Sequence, residues 1–402
     1  MSTGSVLRGL AGLSFLLGIL VMFPAEAAPY RGMVEVTRAP AASAIAGQYI
    51  VRLKPGVGTS DVIVPLGVTP LYSYQLVASG FAVRLTPAEL TKVRLSPQVI
   101  AIEEDALAEA FDPQEGMAGS SGSPPPAVPD YSWGLDRLNQ RRLPLDHVFK
   151  PAHHGTGVTA YILDSGIEAG HSEFTGRIVP GYSVIQDGKG TADCLGHGTQ
   201  VAGIVGGTTW GVATGVKLVP VRVLGCDGSG TYSGIIAGLD WIAANAVKPA
   251  VANLSFGGSK SAATNAAVTE LADAGVFVAA AAGNSRADAC NVSPAGAPRV
   301  LAVGATTYRD ALASFSNVGP CVDMLAPGYA VVSARKGGGG KIGDGTSFAA
   351  PYATGIAALY KEKYGDKPVA TIVKWMIDEA ETDVLTGVPA TTHNRLLSID
   401  GL

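Results

Sequence analysis

Three residue types that together make an acyl-transfer site stand in three separate segments of this chain: Asp164, His197 and Ser347. Ser347 lies in Gly343-Asp344-Gly345-Thr346-Ser347-Phe348-Ala349-Ala350-Pro351, at the head of a small-residue apolar run that predicts a buried helix. A serine hydroxyl is a poor nucleophile near neutral pH and needs an adjacent base. His197 offers that base, and its neighbours Gly196 and Gly198 let the backbone bring the ring close. Asp164 closes the strand-like run Ala160-Tyr161-Ile162-Leu163 and offers the acid that orients an imidazole and stabilises its charged form. A serine at a helix start also has free backbone N–H groups and the positive helix end beside a developing oxyanion. Pro351 is expected in the first helical turn, where its missing N–H costs little. Each residue has a plainer reading too: a capping serine, a hydrogen-bonded structural histidine, a turn aspartate.

In the order Asp, His, Ser, the three segments resemble the subtilase family of serine proteases. The cysteines and later blocks resemble its proteinase K-like, aqualysin-like branch, and the resemblance spans roughly residues 131–402. Three independent motifs in the right order outweigh the plainer readings. The resemblance implies Asn284, in Ala281-Ala282-Gly283-Asn284-Ser285, as an oxyanion donor beside the Ser347 N–H. It implies Gly228, Ser229 and Gly230 as one edge for an extended substrate. Ser255, Phe256 and Gly257 are then the opposite edge and a wall of the primary pocket. With Ala281, Ala282 and Gly283 that lining is small and uncharged, so broad cleavage after apolar or aromatic residues is expected. Cleavage strictly after Lys or Arg would contradict it.

The same resemblance implies a structural calcium held by the carbonyls of Pro298 and Val300 and the Asp323 carboxylate, with no cofactor needed for the chemistry. A weaker second site would lie near Asp136 and Gln140, where Asn139 stands in place of an acid. Gln200, Phe256, Phe348 and Tyr352 depart from the family's common residues, and the two phenylalanines add bulk near the site. His171 is expected near the surface, as in similar proteases.

Positioning such a site takes a large scaffold. The 402 residues are 47% hydrophobic, enough for more than one domain, and a net charge of −4 points to no nucleic-acid partner. Val158–Leu163, Lys217–Leu224, Ala250–Phe256, Val276–Ala282 and Arg299–Val303 are short apolar runs of the kind found in strands buried on both faces. Helix-like stretches such as Tyr232–Ala246 and Ala262–Ala274 alternate with them. The alternation predicts an α/β fold of three layers around a mostly parallel sheet, over residues 131–402.

Upstream, Gln48–Leu53 and Gly80–Leu85 alternate like strands, and Thr86 caps a helix that opens at Pro87. Val99–Ile102 reads as a last strand before Glu103-Glu104-Asp105. This pattern, within residues 28–111, resembles the inhibitor prosegment of subtilases, a small α+β ferredoxin-like domain. It implies an intramolecular inhibitor and a latent zymogen. Val57–Tyr74 has no helical period, so the first helix of that fold finds no support in the sequence. Residues 112–130, rich in Pro, Gly and Ser, read as an exposed linker with the processing site placed between about 106 and 130.

At the start of the chain, Arg8, the uncharged apolar stretch Gly9–Phe23 and Ala25-Glu26-Ala27 make a signal-peptide pattern over 1–27. The run is short for a membrane anchor, so a secreted, extracellular or periplasmic monomer is expected. Cys194, Cys226, Cys290 and Cys321 make an even set, which in an exported protein argues for two disulfides with three pairings possible. The resemblance implies Cys194–Cys226 and Cys290–Cys321. The Gly228-x-Gly230 and Gly337–Lys341 stretches each miss residues that a nucleotide fingerprint needs. The remaining alternative is a catalytically silent exported binding protein on the same fold, against which the intact Asp164, His197, Ser347 and Asn284 count.

Overall fold

A computed structural model describes residues 32–111 and 131–402. The expected signal peptide and the 112–130 linker lie outside the described residues. The first part of the chain builds β1 (Ala44–Leu53), α1 (Ser60–Leu66), β2 (Pro70–Tyr74), β3 (Gly80–Arg84), α2 (Pro87–Leu95) and β4 (Val99–Ala110). Their antiparallel order is β4-β1-β3-β2. Val51, Phe81, Val83, Val93 and Ile102 fill the core between this sheet and the helices. Thr86 and Glu89 form a reciprocal capping box at α2, with Pro87 at its start.

Two expectations change here. Helix α1 exists although the sequence shows no period for it. It buries only Val62, contains Pro65, and is closed by Gly67 in the left-handed region at φ 67°. A helix so short and so exposed leaves little pattern to read. Strand β4 does not stop at Ile102 but runs through the acidic triplet to Ala110. Glu103 and Asp105 remain buried in it because helix N-termini meet them, as described below.

The second part begins with α3 (Trp133–Leu138) and continues β5 (Thr159–Asp164), α4 (His197–Gly206), β6 (Lys217–Arg222), β7 (Ser229–Thr231) and α5 (Tyr232–Asn245). Then come β8 (Ala250–Leu254), β9 (Phe256–Ser259), α6 (Ala262–Asp273), β10 (Phe277–Ala281), β11 (Leu301–Thr307) and β12 (Met324–Pro327). The hairpin β13 (Val331–Ala334) and β14 (Gly340–Gly343), then α7 (Thr346–Tyr364) and α8 (Val369–Asp378), complete the main elements. Six strands pair in parallel in the order β12-β11-β10-β8-β5-β6. Helices α4, α7 and α8 share one core cluster with residues on one face of the sheet, and α5 and α6 share another with residues on the opposite face. The expected three-layer α/β architecture is therefore present. After β6 the chain returns to the other side of β5, so the strand order reverses at β5. Open α/β sheets carry their sites at the carboxyl ends of strands at such a switch point.

Helix α7 corrects one local expectation. Pro351 is its sixth residue, beyond the first turn. A proline there leaves the carbonyl four residues back, that of Ser347, without its helical N–H. The Ser255 hydroxyl fills the gap by donating to Ser347 O at 2.8 Å. Both disulfides form with the implied pairing, Cys194–Cys226 and Cys290–Cys321. His171 is buried, not near the surface: its Nδ1 accepts from Glu173 N, and its ring packs at a tilt against Phe174.

Candidate active site

Asp164 is the last residue of β5 and is fully buried. Its Oδ1 accepts from Ser165 N and faces His197 Nδ1, both at 2.7 Å. His197 opens α4, so its ring is fixed by the helix start as well as by the carboxylate. Ser347 is the second residue of α7. Its Oγ lies 2.9 Å from Ser255 O and 3.2 Å from the carbonyl oxygen of Phe111. The Phe348 ring packs 6.0 Å from the His197 ring, which holds the serine turn beside the histidine.

Two residues that sequence reading left without a role hold this arrangement. Asp193 is buried and takes five donors: Ser165 Oγ, Leu195 N, Gly196 N, Thr199 N and Thr199 Oγ1. It ties the end of β5 to the loop that delivers His197. A carboxylate four residues before a glycine-framed histidine is the only signal in the sequence. The second is Thr346, whose N–H and Oγ1 both donate to Asn284 Oδ1, at 2.9 and 2.8 Å. With its oxygen so held, the Asn284 amide must present Nδ2 to the other side. Nδ2 donates to Phe111 O at 2.9 Å.

The occupant of the site is the chain's own β4 and the residue after it. Leu107, Ala108 and Glu109 pair antiparallel with Thr231, Gly230 and Ser229 of β7. Ala110 N donates to Gly228 O at 2.9 Å. On the other side Glu109 and Ala110 pair with Gly257 and Phe256 of β9. The expected substrate edges at 228–230 and 255–257 thus hold an extended strand between them, by main-chain hydrogen bonds. The Phe111 ring lies against Gly257 and Gly283, where an added Cβ would come within 2.5 and 3.6 Å of its Cζ. Ala281 and Ala282 are fully buried nearby, and Phe111 packs on the cluster that includes Ala281.

Phe256 lies in the core shared with α5 and α6, and Phe348 packs under Gly343, so neither ring narrows the space around Phe111. The donors to Phe111 O among the described residues are Asn284 Nδ2 and Ser347 Oγ; the expected Ser347 N–H is not one of them. A hole built for a tetrahedral oxyanion does not fully engage the oxygen of an intact, planar peptide.

The strand is locked in place by carboxylates from both partners. Asp105 accepts from Ser233 N near the start of α5, and Glu103 accepts from Ala263 N near the start of α6. Each thus serves the free N–H groups of a helix end. Burial pushes both carboxyls up from their ordinary range. In return Asp240, on α5, accepts from the backbone N–H groups of Gln75, Leu76 and Val77.

Residues 155–397 match the family model described as the subtilase family, and residues 65–110 match that of peptidase inhibitor I9. Among curated proteins, the alkaline serine exoprotease A of Vibrio alginolyticus is 44% identical over 82% of this chain, which spans 61% of that protein's length. The extracellular serine proteinase of Thermus sp. (strain Rt41A) is 45% identical over 81% of this chain and 76% of its own length. A solved cold-adapted subtilisin-like serine proteinase superposes with a TM-score of 0.66 at 46% identity, covering 67% of this chain and 98% of that one.

Proposed function

The chain belongs to the subtilase family of serine proteases, and we propose that it is an exported endopeptidase made as a self-cleaving zymogen. The observation that carries this reading is the seat of Phe111, with its carbonyl oxygen between Asn284 and Ser347 and its ring against two glycines. Ser347 Oγ attacks the carbonyl carbon of the residue in that seat while His197 takes the hydroxyl proton. The carbonyl oxygen becomes an anion held by the Asn284 amide. The C–N bond then breaks as His197 returns the proton to the leaving nitrogen, and water releases the acyl group from Ser347 by the same steps. Asp164 keeps the ring oriented and offsets its charge.

The first bond cut is Phe111–Asp112, after which the 28–111 segment stays bound through the β4 ladder and the two helix-capping carboxylates. The glycine-walled seat supports apolar and aromatic residues before the cut. Export is supported by the 1–27 pattern, by two disulfides, and by the extracellular relative. A sulfonyl fluoride reagent is expected to add its mass to Ser347 and to abolish hydrolysis of an Ala-Ala-Phe anilide, and Ser347→Ala is expected to lack both reactions. Undiminished hydrolysis by Ser347→Ala would reject the assignment.

Calcium fits the oxygens present. Asp323 Oδ2 accepts from Ala302 N at 2.9 Å, two residues past Val300, and burial pushes the Asp323 carboxyl up to about 6. Pro298 O also accepts from Thr269 Oγ1. The second set fits at least as well, because the buried Asp136 Oδ1 and Asn139 Oδ1 have no hydrogen-bond partner. Such orphaned oxygens are costly unless a cation meets them. Binding at 100 times Kd stabilises a fold by about 2.7 kcal/mol. Calcium removal is therefore expected to lower Tm by about 5–10 °C, and Asp136→Ala to remove part of that shift. Equal melting with calcium and with chelator would discard both sites.

A further inference from the structure

Beside His197, a cleft of about 300 Å³ is lined by Leu195, Gly196, His197, Gln200, Arg335, Lys336 and Lys341. The three cations come from the β13–β14 hairpin and its turn, and all are exposed. Among the described residues none of them pairs with a carboxylate. Glu168 is engaged elsewhere on this turn, accepting from Gly337 N. Gln200 is 4% exposed, lines the cleft, and its Nε2 has no hydrogen-bond partner. A buried amide donor left unsatisfied is unfavourable unless a ligand accepts from it. An unsatisfied amide donor on a wall shared with three exposed cations that meet no carboxylate is the chemistry that receives one; Arg335 Nε donates to Gly338 O at 3.1 Å.

The position of the cleft tells which part of a substrate would reach it. Residues before the cut lie along β7 and β9, ending with the Phe111 carbonyl at Ser347. The leaving half departs past His197, which protonates its nitrogen, and the cleft adjoins that residue. The chain's own sequence after Phe111 is Asp112-Pro113-Gln114-Glu115, and residues 112–130 contain acids but no Lys or Arg.

We propose that this cleft is a subsite for acidic side chains on the leaving-group side of the cut bond, so that peptides with Asp or Glu in the first two positions after the cut are preferred. The inference rests on the protease reading above. Charge complementarity of this kind selects among partners and weakens with salt.

The test uses two quenched peptides that share Ala-Ala-Phe before the cut and carry Asp-Glu or Asn-Gln after it. An Ala-Ala-Phe anilide, with no residue beyond the cut, reports on catalysis alone. The acidic peptide is expected to have kcat/KM about fivefold or more above its neutral twin at low salt, with the ratio shrinking in roughly 0.5 M NaCl. In R335Q/K336Q/K341Q the ratio is expected to approach one, and in R335E/K336E/K341E to invert. These side chains are exposed, and wild-type rates on the anilide check that the variants keep the hairpin turn that Arg335 Nε bridges to Gly338 O. A ratio near one in the wild type, or a preference that survives in the glutamine variant, would overturn the subsite. An enzyme that fails on the anilide would instead overturn the protease reading.

Discussion

Asn284→Ala is expected to lower kcat by about 10²–10³-fold with little change in KM. The amide meets the carbonyl oxygen of the occupant at 2.9 Å and is held there through its own oxygen by Thr346. Its interaction grows as the oxygen gains charge, so its loss falls on the transition state and not on binding. Thr346→Val keeps the shape and the N–H but removes one of the two donors to Asn284 Oδ1. About a tenfold loss in kcat is expected, since one of two hydrogen bonds holding the amide remains. Steady-state kinetics on the Ala-Ala-Phe anilide separates the two parameters. A loss that appeared in KM alone would assign Asn284 to substrate binding.

Gly257→Ala is expected to lower kcat/KM for substrates with Phe before the cut by about 10²-fold, while substrates with Ala there lose far less. The new Cβ would stand 2.5 Å from the Phe111 Cζ and 2.8 Å from Ser293 O. Seating a phenylalanine side chain is worth about 2–3 kcal/mol, and a blocked pocket forfeits it. The comparison of Phe and Ala anilides isolates the pocket from the chemistry. Equal losses on the two would mean that the substitution disturbs Ser347 or the β9 edge instead.

The sequence carried much of this site because the proposed catalytic residues sit at element boundaries with distinctive neighbours. Asp164 ends a run of apolar residues, His197 is set between glycines, and Ser347 heads a small-residue helix. The parallel strands were legible for the related reason that burial on both faces leaves continuous apolar runs. What stayed hidden depends on convergence. Thr346 and Asp193 carry no role legible in their own segments, and their roles appear only when Asn284 and Ser165 arrive from distant segments. Gln200 stood out only as a departure, and the cations that share its cleft lie more than a hundred residues on.

In the sequence, three consecutive acids after Ile102 look like a loop, so the strand reads as ending there. Helix ends supplied by the other half of the chain, near Ser233 and Ala263, make Glu103 and Asp105 tolerable inside. The sequence points Pro351 to the first turn because the compensating donor that lets it sit one turn later, Ser255, lies 92 residues away. Helix α1 left no pattern since it buries a single residue.

The central claim is that the chain cuts itself after Phe111 with its own Ser347. Its most direct test is intact mass and terminal sequencing of the full chain, wild type and Ser347→Ala in parallel, at early times after synthesis. The account predicts that the wild type releases a prosegment ending at Phe111 and leaves a peptidase beginning at Asp112, whereas Ser347→Ala stays joined. A prosegment ending elsewhere, or identical trimming of both proteins, would contradict it.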